Sequence, residues 1–384
     1  MSACISCGSL SEEVFFLGLQ VLANQFSATV EESFGPRYPL GLSECRACGW
    51  MQLTEPVPPD LMFKDAYPYR TLVVPQWVTG SAMGERPGFV VEAGSNDGKA
   101  LREFQKMGWR VLGVDPAHNM VTEARERGVM TWERYFDVDC AKEIVGEHGQ
   151  ADVFFGRHVF AHVPDPGAFL DAVGILLKPD GMAYIEVPSG DAFVNDRLVD
   201  TLYHEHRSVI TMRAMTGLLA RKGFSLEWMR TLDLHGGSML YEFRKGPTTL
   251  TMGDNQEQDR WSRFRADVEA NRDAFCQLML AYRTGNPKRV CGYTAPAKGN
   301  VWMQYCEITP KDIPWVADWT PEKIGKFCPG TGIPVVEPLT LEREDVDVAI
   351  IFAWNWADQI AASWKHRAQL VRPYGWARPM GSVR

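Results

Sequence analysis

Blocks of apolar residues alternate with polar loops along the middle of the chain, and the clearest block starts at Phe89. The residues Phe89 to Val91 have the composition of a buried parallel strand, and an acid and a glycine loop follow them in the segment FVVEAGSNDG. Lys99 to Met107 is predicted to be a helix, and a second apolar strand, RVLGVD, ends at Asp115. This order predicts a βαβ unit that binds a nucleoside, with the acid on the ribose hydroxyls.

Strands and helices continue to alternate up to about residue 246, and the alternation resumes in the carboxyl-terminal third. In the first region we predict helices at Met120 to Arg127, Cys140 to Glu147 and Ala168 to Leu177, and strands near Met130, at Val153 to Phe155 and ending at Glu186 after a turn at Pro179 to Gly181. In the last third, a long amphipathic helix is predicted at Asp254 to Tyr282, before a second strand, turn and helix in RVCGYTAPAKGN. The pattern predicts an α/β protein with two Rossmann-like domains.

The length of the chain, 384 residues, allows two or three domains. We predict boundaries at 1–68, 69–246 and 247–384, with 69–88 as a connector rich in proline and aromatic residues. A hydrophobic content of 45% and a charged content of 23% are ordinary for a soluble globular protein, and the net charge of -8 argues against a general nucleic-acid surface. Neither a signal-peptide pattern nor a membrane-spanning stretch is apparent, so we expect a cytoplasmic protein.

Four of the nine cysteines form two CxxC pairs, each followed by a glycine. The pairs are Cys4 with Cys7 and Cys45 with Cys48, and together they offer the four thiolates that zinc binds tetrahedrally. The long stretch between the pairs requires an insertion, for which LGLQVLANQF is the candidate. We predict a zinc-ribbon-like module with a structural metal, and four buried thiols without metal are the alternative.

The loop after the first strand indicates which nucleoside is bound. Dinucleotide loops have three glycines that admit a pyrophosphate, whereas side chains fill the loop between Gly94 and Gly98. Two acids place negative charge beside the loop, which suits the ammonium and the cationic sulfur of S-adenosylmethionine. We therefore predict this cofactor, with candidate contacts at Glu92, Gly94, Ser95, Asn96, Asp97, Gly98, Asp115, Pro116 and His158.

Two groups of histidines provide candidate chemistry. His158 and His162 follow the strand at Val153 to Phe155, and open α/β sheets bind ligands at the carboxyl ends of such strands. In TLYHEHRSV, His206 lies beside Glu205 and close to Tyr203, which is the composition of a general-base cluster. The HExxH spacing of zinc proteases is absent. For either group the alternative is a polar structural segment without chemistry.

Segments along nearly the whole chain resemble, in the same order, those of the nucleotide-sugar C-methyltransferases of deoxysugar biosynthesis. They are CISCGS, LGLQVLANQF, CRACGW, DAYPYR, VVEAGSNDG, VFAHVPD, YHEH, HGGS, GYTAPAKGN and PGTGIPV. The resemblance implies a class I methyltransferase core between an amino-terminal zinc module and a carboxyl-terminal Rossmann-like domain. It also implies methyl transfer from S-adenosylmethionine to a carbon beside a keto group, on a sugar linked to a nucleoside diphosphate.

Roles for individual residues follow from this chemistry. The resemblance places the general base at His206, Tyr203 and His162 are the candidates for holding the enolate oxygen, and Glu205 is expected to orient His206. Candidate substrate contacts are Tyr67, Tyr69, His235, Lys298 and Asn300, with Lys298 near the diphosphate.

The carboxyl-terminal domain is not expected to bind a second methyl donor. No ribose acid is expected after GYTAPAKGN, because the next strand ends at Asp318 in a different sequence context. Two alternatives stay open for the whole protein, an O- or N-methyltransferase acting on a sugar or other small molecule and a non-catalytic assembly module. We expect no nucleic-acid or membrane partner, and a monomer or a homodimer.

Overall fold

The computed structural model describes residues 2–63, 74, 76–79, 87–233, 236–247, 259–284 and 287–374. These residues form three β-sheets with helices packed around them. Three of the predicted site residues, Tyr67, Tyr69 and His235, lie outside the described residues. Within the described ranges, none of the helices combines the length and the apolar character that a membrane crossing requires.

An antiparallel sheet forms the amino-terminal module. Its first four strands are β1 (Ser2–Ala3), β2 (Leu10–Gln20), β3 (Tyr38–Cys45) and β4 (Met51–Leu53), and two short helices accompany them, α1 (Val30–Ser33) and α2 (Asp60–Phe63). β2 and β3 form a long hairpin that connects the two cysteine pairs. The predicted insertion LGLQVLANQF covers the end of β2 and the turn after it, so the additional residues lengthen this hairpin.

A seven-stranded sheet forms the middle of the molecule. Its elements and their neighbours in chain order are α3 (Gln76–Thr79), β5 (Phe89–Ala93), α4 (Lys99–Lys106), β6 (Arg110–Asp115), α5 (His118–Glu126), β7 (Thr131–Glu133), α6 (Val138–His148), β8 (Ala151–Arg157), α7 (Pro166–Leu176), β9 (Leu177–Pro188), α8 (Gly190–Asn195), β10 (Ser208–Val209), α9 (Met212–Arg221), β11 (Phe224–Leu232) and β12 (Ser238–Lys245). The strand order is β11-β12-β9-β8-β5-β6-β7, and β12 is antiparallel to both of its neighbours. The order reverses at β5, and ligands bind outside the carboxyl ends of the strands at such a point.

The predicted α/β class, with a Rossmann-like methyltransferase core, is confirmed. The predicted turn at Pro179 to Gly181 is wrong as an element boundary, because β9 runs through it. The pairing with β8 is irregular at this place, where Ala151 pairs with Leu177 and Val153 pairs with Met182. The Pro and Gly signals therefore mark a break in register within one strand.

The strand β10 belongs to the amino-terminal sheet although it follows most of the middle domain in sequence. Ser208 pairs with Gln52 and Val209 pairs with Met51, so β10 is the fifth strand of that sheet, beside β4. The indole Nε1 of Trp50 donates to Oγ of Ser208 over 3.1 Å. The module thus holds the segment directly after His206 by backbone and side-chain contacts.

A third, parallel sheet lies in the carboxyl-terminal region. Its elements are α10 (Arg260–Arg283), β13 (Val290–Tyr293), α11 (Ala297–Tyr305), β14 (Val316–Ala317), β15 (Val335–Val336), α12 (Thr340–Arg343), β16 (Val348–Ile351), α13 (Ala357–Ser363) and β17 (Gln369–Val371). The strand order β15-β14-β13-β16-β17 is that of a second Rossmann-like sheet, as predicted. The long helix α10 is described from Arg260, and the residues before Asp259 at its predicted start lie outside the described ranges.

The three sheets share apolar cores. Cys4, Cys45 and Trp50 pack in one core with the middle sheet, whereas Phe15 and Leu40 of the same module pack in another core with the carboxyl-terminal helices. Phe15 meets Phe264 of α10 edge to face, with the ring centroids 5.1 Å apart. The amino-terminal module therefore packs against both the middle sheet and the carboxyl-terminal domain.

Candidate active site and metal centre

The four cysteines of the two CxxC pairs converge at the ends of β1 and β3 and in the turns that follow them. Their sulfur atoms all lie within 4.8 Å of one another, and the separations are 3.6 Å for Cys4 to Cys48 and for Cys7 to Cys45. Zinc–sulfur bonds of about 2.3 Å in a tetrahedron place sulfurs about 3.8 Å apart, so the geometry fits this metal. Four thiolates leave no open position for a substrate. The chemistry of the donor set is that of a structural zinc site.

Glycines shape the loop after β5. Gly94 has a φ of 65°, and a Cβ at this position would lie 3.0 Å from Cβ of Val159. Asp115, at the end of β6, accepts from the backbone N–H of Asn96 over 2.8 Å and from that of Ala117 over 2.9 Å. The loop and the acid are thereby fixed to each other, as the ribose site of a nucleoside cofactor requires. Burial raises the pKa of Asp115 to about 6.

The two other acids near the loop differ in their surroundings. Glu92 is fully buried, and its Oε1 accepts from Nε and Nη2 of Arg157 over 3.0 and 2.8 Å. Burial raises its pKa to about 7, although Arg157 opposes the shift, and its Oε2 has no hydrogen-bond partner among the described residues. Asp97 instead forms ion pairs with Arg127 (2.6 Å) and Lys99 (3.0 Å). The charge of Asp97 is therefore balanced within the protein, and its contact with the cofactor stays a prediction.

Three further residues of the predicted cofactor set line this region. Ser95 is 1% exposed and packs against Gly113 of β6, while Pro116 is half-buried behind Asp115. His158 has a φ of 56°, and its Nε2 lies 2.9 Å from Oε1 of Glu186 at the neighbouring strand end. Trp77 donates to the other oxygen of Glu186 over 2.9 Å. His158 is thus held at the carboxyl edge of the sheet by a carboxylate.

His206 has a fixed protonation pattern. Its Nδ1 lies 2.7 Å from the backbone oxygen of Thr201, and because a carbonyl oxygen only accepts, Nδ1 carries the proton of the neutral ring. Nε2 is then the unprotonated nitrogen, and the hydroxyl of Tyr203 donates to it over 2.8 Å. Burial, reinforced by His162, lowers the pKa of His206 well below 6.5. The imidazole is therefore neutral at pH 7 with its lone pair on Nε2.

His162 lies against His206, with the ring centroids 5.2 Å apart, and its other side stacks on Phe63 of α2 at 5.4 Å. Burial lowers its pKa to about 3, so this ring is also neutral. Its Nε2 is buried and has no hydrogen-bond partner within the part of the chain that the structure describes. A polar atom in this situation is available to a ligand.

Glu205 does not contact the imidazole of His206 as we expected. Its Oε1 accepts from Nδ2 of Asn24, in the amino-terminal module, over 3.0 Å. The orienting contact on His206 comes instead from the carbonyl of Thr201. We correct that role for Glu205, which is 2% exposed and has a pKa raised by burial. The carbonyl had no signal in the sequence, because any residue type supplies one.

The carboxyl-terminal sheet repeats the geometry of the Asp115 loop. Asp318 follows β14, and its carboxylate accepts from the backbone N–H of Ala295 in the loop after β13 (2.9 Å) and of Thr320 (2.8 Å). These contacts match those of Asp115 with Asn96 and Ala117. The expectation that this loop lacks an acid of the ribose type is therefore wrong. Lys323 lies 3.5 Å from the same carboxylate, which distinguishes the second loop from the first.

The two predicted substrate contacts on α11 face different surroundings. Nζ of Lys298 lies 5.1 Å from the centre of the Trp354 ring, at the first turn of the helix. Asn300 is fully buried and donates from Nδ2 to the carbonyl of Ala23 over 2.7 Å. Its amide N–H connects the helix to the amino-terminal module, while its buried Oδ1 has no hydrogen-bond partner among the described residues, so Asn300 stays a predicted substrate contact. Lys298 stays a candidate.

Models of three protein families match successive parts of the chain. They are a zinc binding domain at residues 4–63, a methyltransferase domain at residues 75–227 and a C-methyltransferase C-terminal domain at residues 251–371. Over 372 residues the chain is 30% identical to the C-methyltransferase NovU of Streptomyces niveus, a match that covers 91% of this chain and 88% of that protein. The chain belongs to this C-methyltransferase family.

Other proteins are similar to parts of this C-methyltransferase. A ubiquinone biosynthesis O-methyltransferase of Bradyrhizobium is 29% identical over 100 residues, covering 25% of this chain and 38% of that protein. The crystal structure of magnesium protoporphyrin IX methyltransferase from Synechocystis with bound S-adenosylmethionine has a TM-score of 0.34 and 17% identity, and the match covers 44% of this chain and 76% of that one. Both matches cover less than half of the present chain.

The family assigns ligands to two of the sites described above. The C-methyltransferase is S-adenosylmethionine-dependent, and its amino-terminal cysteine cluster binds zinc. The loop from Gly94 to Gly98 and the carboxylate of Asp115 are the residues that fit the cofactor, and Cys4, Cys7, Cys45 and Cys48 are those that fit the metal. Glu186 and Trp77, which hold His158, were not predicted from the sequence, because their contacts join distant segments.

Replacing Asp115 with alanine in this C-methyltransferase should weaken the binding of S-adenosylmethionine by roughly ten- to a hundredfold. Hydrogen bonds to a charged group contribute about 1.5–3 kcal/mol, and the substitution also releases the loop at Asn96. Titration calorimetry measures the dissociation constant. The matched control is Asp318→Ala, which removes the equivalent carboxylate of the other sheet and should leave the affinity unchanged. Wild-type affinity in Asp115→Ala combined with Gly94→Val contradicts the cofactor site.

Proposed function

We propose that this C-methyltransferase acts on a keto-sugar nucleotide, by removing a proton from the carbon beside the ketone and methylating the enolate. The observation that carries the proposal is the contact of the buried His206 with Tyr203, in which Nε2 is kept unprotonated. A carbon acid requires a positioned base, since its proton is not lost to water at neutral pH. An oxygen or nitrogen acceptor has less need of such a group.

In the proposed reaction Nε2 of His206 takes the proton, and the electron pair of the broken C–H bond enters the enolate. That pair then forms the new carbon–carbon bond. Bound S-adenosylmethionine would supply the methyl group as an electrophile, with the sulfur keeping the electron pair of the broken S–CH3 bond and S-adenosylhomocysteine leaving. The lowered pKa of His206 keeps the ring neutral at pH 7, so it is ready to accept a proton. Its contact with Thr201 prevents the ring from turning over and presenting Nδ1 instead.

The enolate oxygen requires donors close to the base. Without substrate the single O–H of Tyr203 donates to Nε2 of His206 over 2.8 Å. In the proposed complex the keto sugar replaces this bond, so the hydroxyl donates to the enolate oxygen and the lone pair of Nε2 faces the C–H bond. His162 is the second candidate, because a neutral imidazole has one N–H and its buried Nε2 has no partner among the described residues. Donors of this kind stabilise the charge that develops on oxygen in the transition state. We assign Tyr203 and His162 to this task.

The nucleotide of the acceptor fits the carboxyl-terminal sheet. The loop from Tyr293 to Lys298 and the carboxylate of Asp318 repeat the arrangement that holds a nucleoside in the middle domain. Lys298, at the amino-terminal end of α11, supplies positive charge for a diphosphate. These features support a sugar carried on a nucleotide over a free sugar.

A panel of keto-sugar nucleotides tests the proposal. Each is incubated with the protein and S-adenosylmethionine carrying a carbon-13 methyl group, and mass spectrometry detects the added methylene. Coupling of the labelled methyl to a ring carbon in the NMR spectrum identifies C-methylation. The same sugars without the nucleotide are the control and should not be methylated. A label found on oxygen or nitrogen, or turnover that needs no nucleotide, contradicts the proposal.

A further inference from the structure

A buried aspartate connects the middle domain to the carboxyl-terminal domain. Asp200 lies in the short 3-10 turn Val199–Thr201 and is fully buried. Its Oδ2 accepts from Nε1 of Trp354 over 2.7 Å and from the hydroxyl of Tyr374 over 3.0 Å. Both donors belong to the carboxyl-terminal region, after β16. Asp200 is therefore held in place by side chains of the other domain.

The residue after this aspartate determines the proton position on His206. The carbonyl of Thr201 accepts from Nδ1 of His206, and Thr201 follows Asp200 in the same 3-10 turn. This carbonyl belongs to the planar peptide unit of Thr201 and Leu202, whose N–H donates to the carbonyl of Val199 over 3.0 Å. That bond closes the turn around Asp200, so a shift of the turn at Asp200 also displaces the carbonyl. Loss of that contact would let the ring exchange its two neutral tautomers, and only one of them has its lone pair on the Tyr203 side.

The surroundings make the position of Asp200 sensitive to its two donors. Its Oδ1 has no hydrogen-bond partner in the described part of the chain, so the bonds from Trp354 and Tyr374 to Oδ2 are the side-chain hydrogen bonds that hold this buried carboxylate. Lys298 interacts with the charge of Asp200 and lies over the ring of Trp354. A Cβ at Gly236 would lie 2.5 Å from the same indole, so that ring has little freedom to move.

We propose that Asp200 is a positioning residue, through which the carboxyl-terminal domain sets the tautomer of His206. The proposal rests on the proposed role of His206 as the base. Trp354 and Tyr374 hold the carboxylate, the carboxylate holds the turn, and the carbonyl of Thr201 holds the imidazole. Docking of the carboxyl-terminal domain is thus a condition for a competent base, in addition to any contact that this domain makes with the acceptor.

The test is the double variant Trp354→Phe with Tyr374→Phe, which keeps both rings and removes both donors. The matched control is Trp364→Phe, which removes an indole N–H bond in the same domain, to the carbonyl of Ala368 (3.0 Å). In the double variant we expect kcat to fall on the order of tenfold with little change in KM for S-adenosylmethionine, because only part of the general-base contribution is lost. The control should keep the wild-type kcat.

A second measurement is independent of turnover. In protein with nitrogen-15 histidine, the resonances of His206, identified by their absence in His206→Ala, should show one tautomer in the wild type and a mixture in the double variant. In the otherwise wild-type protein, Asp200→Asn keeps an oxygen acceptor for both donors, so His206 should keep its single tautomer. Asp200→Ala removes the acceptor, so His206 should show a mixture of tautomers.

A wild-type tautomer of His206 in the double variant overturns the proposal, whatever the value of kcat. A shifted tautomer together with an unchanged rate identifies a different failure. It means that Asp200 positions His206 as proposed but that His206 is not the base, so the proposed function fails in that respect.

Discussion

Replacing His206 with alanine should lower the rate of methyl transfer by on the order of a hundredfold or more, the usual size of a general-base contribution. The variant loses the imidazole that Thr201 and Tyr203 hold in one orientation. It should still bind S-adenosylmethionine with wild-type affinity, because the loop after β5 and Asp115 make no contact with this ring in the described structure. Single-turnover rates and titration calorimetry measure the two quantities on the same sample.

Proton exchange gives a sharper version of this experiment. With a donor analogue that cannot transfer its methyl group, the wild type should replace the acidic proton of the sugar with deuterium from the solvent, and His206→Ala should not. His204→Ala is the matched control, because that neighbouring imidazole faces Tyr38 of the amino-terminal module, with ring centroids 6.0 Å apart. Exchange at the wild-type rate in His206→Ala would place the base elsewhere, with His162 and Tyr203 as the next residues to test.

The pH dependence of the wild type should reflect the burial of the base. An ordinary histidine is half protonated at pH 6.5, whereas burial and the nearby His162, His158 and Lys298 lower the pKa of His206 well below that value. The neutral base therefore persists as the pH falls from about 8 to 6.5, and kcat should stay constant over this range. The rate declines only when the pH passes through the lower pKa. A rate that halves near pH 6.5 would contradict the assignment.

Loss of the zinc ligands should abolish activity although the metal takes no part in the chemistry. The double variant Cys45→Ser with Cys48→Ser should contain no zinc and should have an unfolded amino-terminal module, since structural zinc contributes about 10–16 kcal/mol to the folding of small zinc domains. Trp50 follows this cysteine pair and bonds to Ser208, and the N–H of Leu53 donates to the carbonyl of Arg207 over 3.0 Å. The segment that carries His206 thus loses its support.

Elemental analysis and circular dichroism measure the zinc content and the folding of this variant. The control is Cys140→Ser with Cys291→Ser, which changes two cysteines buried in the other two domains and should retain one zinc per chain. Zinc content that survives the loss of Cys45 and Cys48 would rule out the site. Full activity in a zinc-free variant would rule out the support of the His206 segment by the module.

The part of the fold that the sequence predicted is the part with local signals. The strand at Phe89, the glycine loop and the acid at Asp115 lie within one βαβ unit, so periodicity and spacing were sufficient to place them. The CxxC pairs were equally clear, because zinc ligands have fixed residue types and spacing. The strand that ends at Asp318 was also recognised, but its different sequence context led us to dismiss the acid, which the structure places on the N–H of Ala295, 23 residues away.

Several parts of the candidate site had no signal in the sequence at all. The partner of His206 is a backbone carbonyl, which every residue has, and sequence adjacency favoured Glu205 for that role. Asn24 and Glu205, which are bonded, are 181 residues apart in the sequence, and Trp354 and Asp200 are 154 residues apart. Such contacts depend on how three domains pack, and patterns of single residues do not carry that information.

The location of β10 in the amino-terminal sheet has a consequence for the synthesis of the protein. Trp50 and its partner Ser208 are 158 residues apart, so the ribosome adds the last strand of this sheet on the order of ten to thirty seconds after the first four. During this interval the edge of β4 lacks its neighbour, and exposed strand edges invite pairing with other nascent chains. β10 therefore pairs with this edge only late in synthesis. Slow translation before codon 208 would lengthen the period in which the newly made module can aggregate.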